Sequence, residues 1–195
     1  QSDEVAGLTE KKIDTSVIPF RGEYYKIKPE RRYLVKNLIY PVPDPAFPFL
    51  GVHFTRMTSG EVEARPTAVL SFKKEGYKKS SFSLKDSFKT FTWKGFYSIA
   101  SKYYKTGFGE FKRSFSKKAF VKALQKMMPE ITADDLIAGG AGVRAQAISI
   151  EGKLIDDFLI HDSRRIVNVL NAPSPAATSS LAIGQAIAEK IINKL

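Results

Sequence analysis

Hydrophobic positions from 17 to 72 gather in four runs, 17–28, 33–41, 50–57 and 61–72, rich in β-branched and aromatic side chains and bounded by Pro, Gly, Asp or Ser. Such runs predict strands, with a period of two plainest from Val52 to Thr55, and short spacers such as Thr58-Ser59-Gly60 predict antiparallel hairpins. Pro41, Pro43, Pro45 and Pro48 cannot donate ladder hydrogen bonds, so that stretch is read as an irregular connection. From 83 to about 128 the period lengthens. Phe88, Phe91, Phe96, Ile99, Tyr103, Tyr104, Phe111, Phe115, Phe120, Val121 and Leu124 recur near helical spacing, which predicts two or three helices divided at Gly95, Gly107 and Gly109 and stopped by Met127-Met128-Pro129. Core packing is the expected role of this aromatic stripe. After a connector over 131–137, strand texture returns over 142–150, 154–161 and 165–170, with Glu151-Gly152 as a hairpin turn. A short helix over 2–8, capped by Ser2, opens the chain. A last helix over about 175–194 is expected to bury Leu181, Ile187, Ile191 and Leu195 on one side.

Strands and then helices, followed by strands and a terminal helix, argue for an α+β fold. The expected architecture is an antiparallel sheet domain over 17–140 with a helical insertion at 83–128. Residues 1–16 and 141–195 fall in separate segments, the latter in a different layer.

Composition narrows the function classes. At 195 residues the chain can bury a substantial core. It has no cysteine, so disulfides, thiolate metal sites and cysteine nucleophiles are excluded. That composition is expected of a cytoplasmic protein. No apolar run approaches the roughly 18 residues of a membrane span. The net charge of +11 comes largely from lysines in 73–79 and 102–126, the latter mixed with Phe and Tyr. A solvated helical face accounts for this, and peripheral contact with an anionic membrane surface is the competing reading. No nucleic-acid motif accompanies the charge, so a nucleic-acid partner is not expected.

Several positions could carry chemistry. Val52 and Phe54 alternate with His53 and Thr55, which puts the two polar residues side by side on one strand face. There a histidine could take a hydroxyl proton near neutral pH, or it could simply sit on a half-exposed sheet. Gly22, between Arg21 and Glu23-Tyr24, marks either a close approach of a flat group or a β-bulge. Arg144 in Gly142-Val143-Arg144 is a candidate carboxylate clamp, since guanidinium forks onto carboxylate. The loop Pro173-Ser174-Pro175-Ala176-Ala177-Thr178 opens the last helix with small residues, which suits a group carrying negative charge. Nothing upstream supplies a phosphate-binding turn, so with Gln1 as first residue the sequence reads as the second half of something longer. The match of Gly140–Ala145 to G-x-G-x-x-A is read as accidental, because strand-like residues follow it instead of a helix. His161 with Asp156 and Asp157 lacks the further ligands a metal site needs.

Taken together, seven stretches resemble the L-2-hydroxyglutarate oxidases and dehydrogenases of the D-amino-acid-oxidase-like flavoproteins. They are Pro19-Phe-Arg-Gly-Glu-Tyr-Tyr25, Asn37-Leu-Ile-Tyr-Pro-Val-Pro-Asp-Pro45, Phe47-Pro-Phe-Leu-Gly-Val-His-Phe-Thr55, Phe115-Ser-Lys-Lys-Ala-Phe120, Gly142-Val-Arg-Ala-Gln146, Asp156-Asp-Phe-Leu159 and Asn171-Ala-Pro-Ser-Pro-Ala-Ala-Thr178. The resemblance covers the C-terminal half of the family's usual length. It implies FAD as cofactor, a dicarboxylate substrate, and hydride transfer to flavin followed by electron passage to oxygen or a quinone-linked acceptor. It implies that 1–16 closes an FAD-binding region, 17–140 binds substrate and 141–195 contacts flavin. It also implies an enzyme whose present chain is inactive without the other half; the expected localisation, from composition and charge, is cytoplasmic, with peripheral contact at the inner membrane surface as the competing reading. In this light His53 becomes the expected base, with Thr55 and Tyr24 beside it. Arg144 becomes the substrate-carboxylate clamp, and Arg21 or Arg56 would hold the second carboxylate. Gly142, Val143, Pro173, Ser174, Pro175, Ala176, Ala177 and Thr178 would contact flavin. Two departures stand out. Arg65-Pro-Thr-Ala68 replaces a Gly-Pro-Asn-Ala stretch, and Gly139-Gly140 replaces a Pro-containing segment. A bulky Arg65 near the site is expected to affect the choice of hydroxy acid.

Overall fold

A computed structural model describes residues 1–10, 12–42, 51–65, 69–163, 165–173 and 176–192. In chain order the elements are α1 (Ser2–Ala6), β1 (Thr15–Ile27), β2 (His53–Arg56), β3 (Val62–Arg65), β4 (Val69–Leu70), α2 (Leu84–Thr92), α3 (Lys94–Phe115), α4 (Lys117–Leu124), β5 (Leu136–Ser149), β6 (Leu154–Ile155), β7 (Leu159–Asp162), β8 (Val167–Asn171) and α5 (Ser180–Ile192). The fold is mixed helix and sheet, as expected. The chain clusters into two compact units: Pro19–Ser87 with Lys102–Arg144, and Gln1–Ile18 with Phe88–Ser101 and Ala145–Leu195.

In the first unit the strand order is β2-β3-β1-β5, and β4 also pairs with β1. β2 and β3 form the hairpin predicted around Gly60, with Phe54 opposite Ala64 and His53 opposite Arg65. β1 continues the sheet through Tyr25 opposite Ala64 and Lys26 opposite Glu63. Alternation then sorts the side chains. Ile27, Phe54, Val62 and Ala64 point into a core shared with Val35, Phe120, Val121, Leu124 and Ile131. α4 supplies its half of that core, and Ser116 caps it by accepting a bond from the Ala119 N–H at 3.2 Å.

The second unit is organised by a buried carboxylate. Asp3, in α1, accepts from the Val17 N–H at 2.9 Å and from Lys89 Nζ at 2.7 Å. Ser2 does not cap α1, because its hydroxyl donates to the Leu170 carbonyl on β8 at 2.6 Å. β5 and β6 form a hairpin through Glu151-Gly152, and β7 pairs antiparallel with β8.

Four expectations are corrected. The strand predicted over 33–41 is a 3-10 turn, Pro29–Leu34, followed by a single bridge between Ile39 and Phe54. Pro29 pre-sets the turn's backbone, and Arg31 ties it to Asp135 at 2.9 Å. β5 starts at Leu136, so 136–137, expected as connector, is strand, and the strand begins six residues before the expected 142. Gly107 and Gly109 lie inside α3, and the local break falls at Tyr103 (φ −123°, ψ 18°). A helical glycine costs about 1 kcal/mol, which weakens a helix without ending it. Finally, the aromatic stripe is core only at its end. Phe120, Val121 and Leu124 are buried, whereas Phe88, Tyr104 and Phe115 are 73%, 64% and 69% exposed. Likewise Leu181 and Ile191 on α5 are exposed. Apolar spacing marks a face; it does not say whether another element covers that face.

Candidate functional site

His53 is held by two contacts. Its Nδ1 lies 3.1 Å from the Gly51 carbonyl. A carbonyl can only accept, so Nδ1 carries the proton and the lone pair sits on Nε2. Gly51 has φ +142°, and a Cβ there would approach Pro41 Cγ to 2.9 Å, so glycine is required to present that carbonyl. Tyr40 stacks on the imidazole with ring centroids 4.6 Å apart and planes 17° from parallel. The two bonds between Ile39 and Phe54, 2.9 and 3.1 Å, hold Tyr40 in place. Burial holds the His53 pKa below its ordinary 6.5, the Gly51 bond opposes this, and the positive charge of Arg65 pushes it down further. Burial and Arg65 thus favour the neutral ring, the form a proton acceptor needs.

Thr55 shares the face, and its Oγ1 is buried without a hydrogen-bond partner among the described residues. Such an atom is satisfied by a bound ligand or an ordered water. Arg65 lies directly across from His53. Its guanidinium sits 5.0 Å from the Tyr24 ring centroid, and its Nε and Nη2 donate to Glu63 Oε2 at 3.3 and 3.2 Å. At Gly142 any Cβ would press on the Tyr24 hydroxyl, and at Gly139 it would come within 2.9 Å of the Tyr24 carbonyl. These glycines on β5 make room for Tyr24, which joins the His53 face to the strand beside it. Arg144 lies two residues beyond Gly142 on the same side of β5. Val143 points the other way.

Tyr24 also lines a cavity of about 300 Å³ with Glu23, Tyr77, Lys79 and the strand 138–141. That strand segment bears nothing larger than a methyl group, and a Cβ added at Gly140 would meet open space. A flat ring can lie against such a surface, so the residues present fit the ring portion of a flavin. The G-x-G-x-x-A match lies wholly within β5, not at a strand-to-helix turn, and makes no phosphate loop.

The remaining candidates are placed elsewhere. Arg21 is buried and pairs with Glu23 at 3.0 Å, and Glu23 also receives Lys79 at 3.0 Å. Arg56 alternates to the side opposite His53 and donates to the Val35 carbonyl at 3.0 Å. Pro173, Ala176, Ala177 and Thr178 belong to the other unit, where the Ala176 N–H bonds the Pro173 carbonyl at 3.0 Å. Ser174 and Pro175 lie outside the described residues. His161 bonds Glu10 at 3.0 Å, and no cluster able to hold a metal ion occurs among the described residues.

A neutral base, an unsatisfied hydroxyl and a cation on one sheet face, beside an open strand, are chemically suited to a small anionic alcohol. The chain belongs to the DAO family of FAD-dependent oxidoreductases, which it matches over residues 1–190. A protein of Indibacter alkaliphilus named L-2-hydroxyglutarate dehydrogenase is 62% identical over 189 residues, which is 96% of this chain and 47% of that one. The enzyme of that name from Escherichia coli K12 is 47% identical over 175 residues, covering 90% of this chain and 42% of its own. The mitochondrial one from Caenorhabditis elegans is 46% identical over 199 residues, covering all of this chain and 46% of its own. The chain thus spans about half the length of the curated relatives it matches.

Proposed function

We propose that this chain is the substrate-binding and C-terminal part of an FAD-dependent enzyme that oxidises L-2-hydroxyglutarate to 2-oxoglutarate. The observation that carries the reading is His53, whose Nδ1 bond to the Gly51 carbonyl and stacking on Tyr40 leave the Nε2 lone pair for a substrate. The substrate hydroxyl gives its proton to Nε2 as the C2–H leaves as hydride, and the C–O bond becomes a carbonyl. Bound flavin would supply the hydride-accepting chemistry and the route for electrons to oxygen or a quinone-linked acceptor. Arg144 forks onto the carboxylate next to the hydroxyl. Thr55 Oγ1 and Tyr24 orient the substrate, and Arg21 stays a more distant cation behind Glu23. Gly142, with Val143 next to it, is the proposed flavin contact on β5; in the other unit the loop at Pro173, Ala176, Ala177 and Thr178 precedes α5, whose start favours negative charge.

The test is a visible spectrum of the full-length protein, joined to the remaining sequence its relatives carry. A flavin band that bleaches under anaerobic L-2-hydroxyglutarate is the expected result. A colourless protein, or a flavin that ignores this substrate, sinks the reading.

No helix among the described residues is long and apolar enough to cross a membrane. Peripheral contact is the reading favoured by exposed Tyr104, Phe108 and Phe115 among Lys102, Lys105 and Lys112 on α3. Sedimentation with anionic vesicles at low salt, lost at high salt, is expected; no sedimentation at low salt refutes it.

A further inference from the structure

On this functional reading a dicarboxylate needs a second cation, and the two arginines expected to provide it are engaged elsewhere. Arg21 is buried on Glu23, and Arg56 is turned to the carbonyls of Arg32 and Val35. Arg65 is differently placed. It faces His53 across the β2–β3 ladder, where Cβ atoms of opposite residues stand about 4.5–5.5 Å apart. In a five-carbon 2-hydroxy diacid, three bonds of about 1.5 Å separate the hydroxyl carbon from the remote carboxylate carbon. That spacing is of the order of the distance between two opposite side chains.

We propose that Arg65 is the specificity-determining residue that receives the remote carboxylate of a 2-hydroxy diacid whose hydroxyl is presented to His53. Its side chain is 34% exposed, so an incoming anion can reach it. Only Nε and Nη2 are committed, both to one Glu63 oxygen, which leaves Nη1 without a protein partner among the described residues. Glu63 on one side and the Tyr24 ring on the other fix the plane of the guanidinium. A positioned guanidinium loses less freedom on binding a carboxylate than a free one. The same charge helps keep His53 neutral, so one side chain serves both substrate choice and the state of the base.

The test compares wild type and Arg65→Gln as full-length, FAD-loaded proteins on L-2-hydroxyglutarate and on L-2-hydroxyvalerate, which has a methyl group in place of the remote carboxylate. For the diacid, KM should rise about 10–100-fold, the loss of a charged hydrogen bond, with kcat changed far less. For hydroxyvalerate KM should stay put, and Arg65→Lys should recover part of the diacid affinity. A readout independent of turnover is binding of glutarate by calorimetry, which Arg65→Gln should weaken by a similar factor. In histidine NMR titration the His53 pKa should move up in the same variant. Equal losses on both substrates, or no loss on either, overturn the assignment. The failures are separable. A wild type that binds glutarate through Arg65 but does not oxidise the hydroxy acid keeps Arg65 and removes the proposed activity. A wild type that does neither removes both.

Discussion

Replacing His53 with glutamine should slow flavin reduction by L-2-hydroxyglutarate about 10²- to 10⁴-fold while leaving the flavin bound and KM within a few-fold of wild type. Glutamine keeps a donor near the Gly51 carbonyl and fills similar space, but it has no lone pair basic enough to take a hydroxyl proton. The pH profile gives the sharper signature. His53 titrates below its ordinary 6.5 because it is buried and faces Arg65. A lowered pKa means that the neutral, proton-accepting form persists to lower pH than in a free histidine. Wild-type activity should therefore hold through neutrality and fall only as pH drops through that depressed value, and in His53→Gln this acidic limb should vanish. Stopped-flow measurement of the reductive half-reaction across pH 4.5–8 checks both points (roughly the range in which a histidine exchanges its proton). A variant that keeps the limb and most of the rate would show that another group takes the proton.

How far the sequence disclosed this site can be followed residue by residue. His53 and Thr55 were legible because a two-residue period has a simple consequence, and β2 puts them on one face as expected. The hairpin at Gly60 set the register that brings Arg65 opposite His53, yet the arginine drew notice only as a departure from a resembling pattern. Counting back from the turn would have found it, since pairing across a hairpin follows from loop length. Tyr40 was hidden for another reason. It reaches His53 through one isolated bridge, which leaves no periodic trace. The prolines at 41–48 told of irregular backbone but not of the Pro41 contact that constrains Gly51. The glycines of β5 left the strand's start out of view: a run with little side chain carries no apolar alternation, yet here it is strand that gives way to Tyr24. Arg21 and Arg56 looked as available as Arg65, because a sequence shows charge but not the carboxylate or carbonyl that has already claimed it.

The largest stability effect should come from Phe54→Ala, one residue from the proposed base. Phe54 is completely buried. Its backbone exchanges bonds with Ile39 on one side and it stands opposite Ala64 on the other, and its ring belongs to the core with Val62, Phe120 and Leu124. Truncating a core phenylalanine costs about 3–5 kcal/mol, part transfer energy and part the cavity left behind. Because the facing Ala64 is small and the backbone on both sides is bonded, the space cannot close easily. For a chain of this size the loss corresponds to a fall in melting temperature of roughly 6–20 °C. Phe54→Leu, which refills most of the volume, should cost much less. The comparison also separates support from chemistry. His53→Gln should leave the melting temperature nearly unchanged while removing activity. Phe54→Ala should lower both, since the strand that aims His53 and Thr55 then rests on a void. Thermal unfolding followed by circular dichroism, with activity measured well below the transition, tests the pair. A fall of less than about 2 °C in Phe54→Ala would mean that this ring is not the floor of the site.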